Sequence, residues 1–337
     1  MSAVVVGVGR SRFSRRTRVT EAALTVQAIT AALRDARLTP RDVDGVVRFD
    51  RDAVWEYDLP GVLGMPALPF YNAVPFGPGS APALLRMAAL AIDQGLATTV
   101  LCYHARDGVA RATPPSVVAS ALLARHHGID EATIARVTLA HRRAAVKNPR
   151  ALLRTPLTAA ERRKSPYVAE PLRRVDVTLP ATGACAFVVT RDDQARRPFV
   201  RIVGSMQAAV PSTAKHLTEW FARKPLDDVA RAARAMFKAA RLRPADVDLA
   251  FLNADTSALV PLAVRVYGIA DARVNPHGGQ LCEAALDGVN DVAAAVERLR
   301  PTMRPPARTT VRPAILALVA GSLLEPTSAV LLAATSV

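Results

Sequence analysis

The chain contains a repeated nine-residue segment, and this repeat limits the folds open to it more than any other feature. Residues 36–44 read ARLTPRDVD, and residues 240–248 read ARLRPADVD. Seven of the nine positions match at a constant offset of 204 residues. Because self-similarity at a fixed offset indicates repeated structural units, we expect two halves built on one plan.

The two copies also share their surroundings. An amphipathic helical pattern precedes each copy, and a short apolar strand pattern follows it, at 45–49 and at 249–253. Pro ends such a helix, and the Asp after it can cap the turn into a buried strand. Each half continues with a Gly-rich turn, an Ala-rich helix and another apolar strand, at 76–80, 83–94 and 98–103 and again at 275–279, 283–299 and 314–319.

These patterns predict fold class α/β. Ala-rich helices with apolar residues on more than one face are buried between layers, and continuous apolar strands belong to sheets covered on both faces. The sequence therefore predicts a duplicated fold with αβαβα layers, in which two mixed sheets surround buried helices. We place the halves at 1–195 and 196–337. A polar helical insert at about 105–170 is expected to cap one face of the core.

The basic charge of the chain raises the question of nucleic-acid binding. There are 44 Lys and Arg residues against 29 Asp and Glu residues, which gives a net charge of +15. The arginines are scattered, and no basic run alternates with aromatic residues as a base-stacking surface requires. We therefore predict no nucleic-acid partner. A smaller polyanion, such as a nucleotide-bearing cofactor, fits the same charge.

Cysteine use and hydropathy predict a cytoplasmic protein. Three cysteines in a chain of 337 residues do not make a disulfide framework. The N-terminus is apolar before it is basic, which is the reverse of a secretory signal. Gly321, Glu325 and Pro326 interrupt the apolar stretch 315–334, which therefore predicts two buried strands and a turn rather than a membrane span.

Several motifs resemble the thiolase superfamily. They are an N-terminal strand followed by Gly-x-Gly and Arg-Phe-Ser, the Asp-Val-Asp-Gly turn at 42–45, and the Asn-Pro-His-Gly-Gly turn at 275–279. The order of motifs is most similar to the lipid-transfer thiolase-like proteins, which include steroid side-chain retro-aldolases. The resemblance implies acyl-coenzyme A substrates without a covalently bound cofactor. It also implies a homodimer and a small OB-fold partner protein.

The catalytic positions implied by the resemblance have changed. Thiolases carry a nucleophilic cysteine at the start of the first buried helix, where this chain has Ser80. Ala285 stands where thiolases have a catalytic histidine and where the retro-aldolases have a tyrosine. Alanine cannot transfer a proton. The strand end at 252–255 and the turn at Ala320-Gly321 have also lost the residue types of the family, apart from glycine.

The candidates that remain lie in the late turn and the segment after it. Cys282 with His277 could supply a nucleophile, although Cys282 is also the size of a small buried residue. Asp287 could act as a base or be a paired carboxylate. Substrate contacts are expected from Ser80, Gly278, Gly279 and Asp255, with Ser80 alternatively a helix cap and the glycines alternatively packed against a helix. The histidines show no spacing typical of a metal site.

Three interpretations follow. The first is an enzyme that acts on coenzyme-A thioesters by acyl transfer or by retro-aldol cleavage with an altered set of residues. The second is a catalytically degenerate subunit that keeps the fold and supports a partner protein. The third is a basic binding protein for an unrelated anion, which arginines clustered away from the late glycine turn would favour.

Overall fold

The computed structural model describes residues 3–75, 81–108, 114–196, 198–209, 225–300, 315–324 and 326–334. The strands are β1 (Ala3–Arg10), β2 (Gly45–Phe49), β3 (Phe70–Val74), β4 (Thr99–Arg106), β5 (Tyr167–Ala169), β6 (Leu172–Arg173), β7 (Gly183–Arg191), β8 (Val200–Ala208), β9 (Leu249–Leu252), β10 (Arg273–Val274), β11 (Leu316–Ala320) and β12 (Thr327–Ala334). The helices are α1 (Glu21–Ala36), α2 (Leu59–Leu63), α3 (Ala81–Asp93), α4 (Pro114–His126), α5 (Glu131–Val146), α6 (Ala159–Lys164), α7 (Pro225–Ala239), α8 (Leu259–Tyr267), α9 (Gly279–Cys282) and α10 (Val289–Leu299).

The strand order shows the duplication. The first half runs β3-β2-β4-β7-β1, and the second runs β10-β9-β11-β12-β8. In each half the first three strands of this order pair in parallel, and the two pairings that follow are antiparallel. The two mixed sheets are joined where β1 pairs with β8, at Val4↔Arg201 and Val5↔Val200. All ten strands therefore form one continuous sheet. The predicted boundary after residue 195 falls between β7 and β8 and stays a prediction.

The layers follow from the burial of the apolar residues. One core cluster lies between the two halves of the sheet and contains α3, α10 and the inward side chains of both halves. A second covers the outer face of the first half under α1, and a third covers the outer face of the second half under α7 and α8. Both faces of each half are therefore buried, as continuous apolar strands require. The predicted αβαβα layering is confirmed.

The repeated segment folds in the same way twice. Asp42 accepts a hydrogen bond from the Thr39 amide at 2.7 Å, and Asp246 accepts one from the Arg243 amide at 2.8 Å. The second aspartate of each copy accepts from the first residues of a neighbouring strand, as Asp44 does from the Thr99 amide at 2.8 Å. These carboxylates satisfy amide groups that the turns and strand ends would otherwise leave unpaired.

The insert packs over the second half. Thr138 of α5 lies 2.6 Å from the Ser257 hydroxyl and donates to the Asp176 carboxylate at 2.6 Å. Arg162 of α6 donates to the same carboxylate at 2.8 Å and 2.7 Å. The buried Asp176 thus ties α5 and α6 to the loop after β9, and the insert covers the strand ends of the second half.

The C-terminal strands and the last helix were also predicted from the sequence. The tail forms the antiparallel hairpin of β11 and β12, as predicted, with Leu316 opposite Ala333. The predicted helix over 283–299 is wrong in its first turn, because α10 begins only at Val289. Asp287 and Gly288 have φ values of +54° and +89°, which a right-handed helix does not allow. In the described ranges, no helix has the length and hydrophobicity needed to span a membrane.

We predict that Gly9→Ala unfolds or strongly destabilises the protein. A Cβ at Gly9 would overlap the carbonyl oxygen of Ala28 and the amide nitrogen of Ala32, both backbone atoms of α1. Since neither can move alone, overpacking between β1 and α1 should cost about 3 kcal/mol or more of unfolding free energy. Gly61→Ala is the control, because nothing lies within 4 Å of its added Cβ. Urea denaturation of both variants measures the effect, and a Gly9→Ala protein as stable as Gly61→Ala would contradict it.

Candidate functional site

The parallel strands of both halves place polar residues at their carboxyl ends. Asp52 follows β2, His104 lies near the end of β4, and Asn253 follows β9. Such ends are where α/β sheets bind ligands, because the strands stop there and loops of varied sequence begin. Helix α3 also begins at this edge, since Ala81 lies beside Gly288 at the start of α10.

His104 bridges two buried carboxylates at this edge. Its Nδ1 atom lies 2.6 Å from Asp52 Oδ1, and its Nε2 atom lies 3.2 Å from Asp287 Oδ2. Arg106 donates from NH1 to the other oxygen of Asp287. The Phe49 ring packs edge-on to the imidazole at 4.6 Å between centroids. All four polar side chains are at most one-fifth exposed, so the cluster is largely shielded from water.

A break between α9 and α10 brings Asp287 to this position. The Leu286 amide donates to Gln280 Oε1 at 2.9 Å, so a side chain replaces the helical carbonyl as its acceptor. The left-handed backbone at Asp287 and Gly288 then turns the chain, and the Asp287 carboxylate reaches His104 and Arg106 of the first half. The break therefore joins chemistry from both halves at one site.

The surroundings set the charge state of the cluster. Burial alone would lower the pKa of His104, but the carboxylates of Asp52 and Asp287 outweigh it and raise the pKa to about 9. Burial would raise the pKa of Asp287, yet hydrogen bonds from His104 and Arg106 hold it below its usual value. At neutral pH the site therefore contains an imidazolium beside an ionised carboxylate.

Asn253 offers a free hydrogen-bond donor next to this cluster. Its side chain is 5% exposed, and its Nδ2 atom has no hydrogen-bond partner among the described residues. The same atom would lie 3.1 Å from a Cβ on Gly288. An unpaired buried amide costs free energy, and a carbonyl or enolate oxygen of a ligand would satisfy it.

The structure places the other predicted residues as follows. Asp255 lies after β9, and its carbonyl accepts from the Thr178 amide at 2.9 Å. Ser80 falls outside the described residues. Ala285 forms a parallel bridge with Pro180 of the loop before β7. Roles for Asp255 and Ser80 in substrate binding stay predictions.

Cys282 and His277 occupy separate environments. Cys282 packs with Ala145, Ala151 and Leu281, and burial raises the pKa of its thiol to about 11. His277 Nε2 bonds to Asp291 Oδ1 at 2.8 Å, and the carboxylates of Glu283 and Asp291 raise the pKa of His277 against the effect of burial. A neutral buried thiol is a poor nucleophile, which favours the structural alternative for Cys282. The nucleophilic role of Cys282 stays a prediction.

The two glycines of the late turn approach protein groups closely. Gly278 has φ +104°, and a Cβ there would meet Ala145 of α5. Gly279 has φ +62°, and a Cβ there would meet the Asn275 side chain. For Gly278 the structure shows the alternative of packing against a neighbouring helix, whereas Gly279 packs against a residue of its own turn. Contact with substrate stays a prediction.

Sequence reasoning found Asp287 but missed its partners His104 and Arg106 and the neighbouring polar residues of the same strand ends. His104, Asp52, Arg106 and Asn253 lie far from it in the chain. One signal was present: His104 is a titratable residue inside the apolar run of β4, and Asn253 ends the apolar run of β9. Polar residues at such strand ends indicate a site. No cluster of histidine, cysteine and carboxylate side chains suited to a metal ion occurs in the ranges that the structure describes.

Proteins similar in sequence share most of the length of this chain. The chain is 30% identical to the 17-hydroxy-3-oxo-4-pregnene-20-carboxyl-CoA lyase of Mycobacterium tuberculosis, over 89% of this chain and 92% of that protein. It is 28% identical to the steroid side-chain-cleaving aldolase of Thermomonospora curvata, over 89% and 91%. No protein-family model matches the chain.

Solved structures agree with these relatives. An Ltp2-ChsH2(DUF35) aldolase superposes with a TM-score of 0.87 at 27% identity, over 99% of this chain and 98% of that one. Human mitochondrial 3-ketoacyl-CoA thiolase superposes with a TM-score of 0.78 at 16% identity, over 99% of both chains. The second match shows the fold alone.

We predict that His104 stabilises the protein in a pH-dependent way. Its folded pKa of about 9 exceeds the ordinary value of 6.5, so its contribution is complete below pH 6.5 and is lost as the pH rises to 9. The unfolding free energy of the wild type, minus that of His104→Gln, should fall by about 3 kcal/mol over that interval.

Urea denaturation at a series of pH values measures this difference. Control proteins carry His126→Gln, which replaces an exposed histidine of α4 outside the cluster, and should not show this fall. A flat difference for His104→Gln as well would contradict the buried ionic cluster. If His104→Gln does not fold, the decline of wild-type stability between pH 6.5 and 9 provides the test.

Proposed function

The chain belongs to the steroid side-chain aldolase branch of the thiolase superfamily, and from this membership we propose that it cleaves a carbon–carbon bond of a coenzyme-A thioester by retro-aldol chemistry. The observation that carries the proposal is the bridge from Asp52 through His104 to Asp287 at the strand ends. It places an acid and a base side by side, in a chain whose Ala285 stands in place of the tyrosine of the branch.

The substrate class follows from the chemistry. Retro-aldol cleavage needs a hydroxyl group on the carbon β to the thioester carbonyl, because the electron pair of the broken bond must enter that carbonyl. The M. tuberculosis relative is, by its name, a lyase of such a 17-hydroxy-20-carboxyl-CoA compound. We therefore propose an acyl-coenzyme A with a β-hydroxyl group, with coenzyme A as part of the substrate and no covalently bound cofactor.

The charge states of the cluster assign the proton transfers. The Asp287 carboxylate takes the proton of the β-hydroxyl as the Cα–Cβ bond breaks, so a ketone forms and the electron pair enters the thioester as an enolate. A carboxylate is a weak base toward an alcohol, and its proton transfer is therefore concerted with bond cleavage. The His104 imidazolium then protonates the α-carbon of the enolate.

The resting state returns within the cluster. After the reaction Asp287 is protonated and His104 is neutral. The proton moves from Asp287 Oδ2 to His104 Nε2, two atoms that lie 3.2 Å apart. Asp52 orients the imidazole through Nδ1 at 2.6 Å. One proton is taken from the substrate and one is given back, so the reaction needs no outside acid.

Asn253 has a role in the same scheme. Its unpaired buried N–H donates to the thioester oxygen, which gains negative charge as the enolate forms. The donor is fixed before reaction, because the Asn253 backbone amide bonds to the Ala320 carbonyl at 2.9 Å. A donor that is held in place and shielded from water stabilises developing charge more than a mobile one.

Partners and compartment are proposed on the same basis. The similar solved complex joins an Ltp2 aldolase to a ChsH2(DUF35) protein, and we propose a small OB-fold partner for this chain too. We also propose a homodimer through the first half, where β3 is the terminal strand and Tyr71 is 60% exposed. The three cysteines are free and buried, which agrees with a cytoplasmic location.

A catalytically degenerate subunit is the second candidate. It is favoured by Ala285, which cannot transfer a proton at the position where relatives have a catalytic residue. This alternative predicts a folded protein that forms its complex with a partner but neither binds acyl-coenzyme A nor cleaves it. Calorimetric titration with coenzyme A and short acyl-CoAs distinguishes the two functions before any turnover assay.

We predict that His104→Gln and Asp287→Asn each lower kcat for β-hydroxyacyl-CoA cleavage by about 100-fold or more, which is typical of removing a general acid or base. Product ketone release, with the partner protein present, measures the rate. The KM should change less, because neither group is proposed to hold the substrate in its ground state. His126→Gln serves as the matched histidine control and should retain wild-type activity.

Cys282→Ala separates this mechanism from thiol chemistry. A loss of kcat with Cys282→Ala, together with full activity of His104→Gln, would overturn the proposed acid–base pair. Equal activity of all the variants would do so as well. Folding of each variant is checked by its urea midpoint, so that loss of structure is not mistaken for loss of chemistry.

A further inference from the structure

A cleft of about 890 Å³ lies outside the site described above. It opens between the end of α5, the turn at 147–150, β10 and one side of α10. None of Asp52, His104, Asn253 and Asp287 lines it. Its cationic residues are Arg10, Arg143, Lys147, Arg150, Arg273 and Arg298. Such a volume is in the range of small-molecule sites.

The two carboxylates of the cleft already have partners. Glu297 pairs with Arg10 and, at 3.2 Å, with Arg150. Glu283 accepts from the Asn148 amide group at 2.9 Å and from the Asn290 amide group at 2.8 Å. Four cations of the cleft have no carboxylate within salt-bridge distance in the part of the chain that the structure describes, namely Arg143, Lys147, Arg273 and Arg298.

Buried donors at the cleft also lack acceptors. The Arg10 side chain is 7% exposed, and its Nε and NH2 atoms have no hydrogen-bond partner among the described residues. His277 is 3% exposed, and its Nδ1 atom is likewise unpaired there. Its other nitrogen is used by Asp291. The two unpaired donor atoms of Arg10 are costly unless an acceptor binds.

The uncompensated charges repel one another when the cleft is empty. Burial and the neighbouring Arg273 lower the pKa of Arg298. The Arg298 guanidinium donates to the Pro276 carbonyl at 3.1 Å, which orients it but does not neutralise it. A concave surface of one sign concentrates the field within it and attracts ions of the opposite sign. A bound polyanion would relieve this repulsion.

We propose that this cleft binds a small molecule carrying two or more phosphate groups. Six cations against two carboxylates leave four positive charges on one bounded surface, and arginine suits phosphate because its planar guanidinium donates two parallel hydrogen bonds. The bounded shape suits a small molecule better than a long polymer. The arginines cluster beside the late turn at Pro276 and His277 rather than away from it, so an anion site accompanies the proposed reaction and does not replace it.

Titration of the full-length protein with inorganic pyrophosphate tests the proposal. Arg273→Gln/Arg298→Gln should weaken binding at least 10-fold. Arg125→Gln/Arg231→Gln removes the same charge from exposed positions, where the side chains are 58% and 72% exposed, and should change the affinity less than twofold. No saturable binding at millimolar pyrophosphate would overturn the proposal, and so would an equal loss in the two double variants.

Two nucleotide probes then identify the source of the phosphates. If adenosine 3′,5′-bisphosphate binds and coenzyme A displaces it, the phosphates of the proposed substrate occupy the cleft. If ATP binds without competition from coenzyme A, a free nucleotide is the ligand. The inference does not depend on the proposed reaction, because His104→Gln should bind pyrophosphate as the wild type does. Loss of cleavage and loss of anion binding are thus separable failures.

Discussion

A buried ionic contact between the halves organises the rest of the molecule. Asp287 comes from the second half, and its partners His104 and Arg106 come from the first. Burying a carboxylate destabilises the fold unless its attraction to cations and its hydrogen bonds offset the lost hydration energy. The attraction between Asp287 and its cationic partners exists only when the two halves are correctly docked, because the partners are 181 and 183 residues away in the chain. The same requirement fixes the position of the break between α9 and α10.

The repeat was sufficient to predict the architecture. The two copies, 204 residues apart, share their backbone conformation as well as their sequence. Arg37 and Arg241 both have positive φ at the end of a helix. The apolar runs then placed the strands, and the Ala-rich segments identified the central layer. These features are local, and local pattern determines which elements form. How the edges of the two sheets meet at β1 and β8 is a long-range fact that no local pattern contains.

The site was predicted only in part for the same reason. Asp287 lies beside a recognisable turn, whereas His104 lies one residue past the predicted strand 98–103 and belongs to no motif. Their contact depends on a turn whose left-handed residues were hidden within an apparent helix over 283–299. The direction of the Cys282 side chain likewise depends on helix phase, and α9 directs it into an apolar cluster with Ala145 and Ala151. The basic cleft draws its arginines from five separate segments, so the charge appeared scattered in the sequence.

The position of β1 in the sheet has a consequence for synthesis of the chain. Its partners are β7, at 183–191, and β8, at 200–208. About 180 residues must therefore be added after β1 before either of its edges can pair. Until then β1 would expose an unpaired, aggregation-prone edge that contains Val4, Val5 and Val6. Helix α1 follows directly in the chain and packs on β1. A local βα pair can therefore cover one face of the strand early, while both of its edges stay open until β7 and β8 are made.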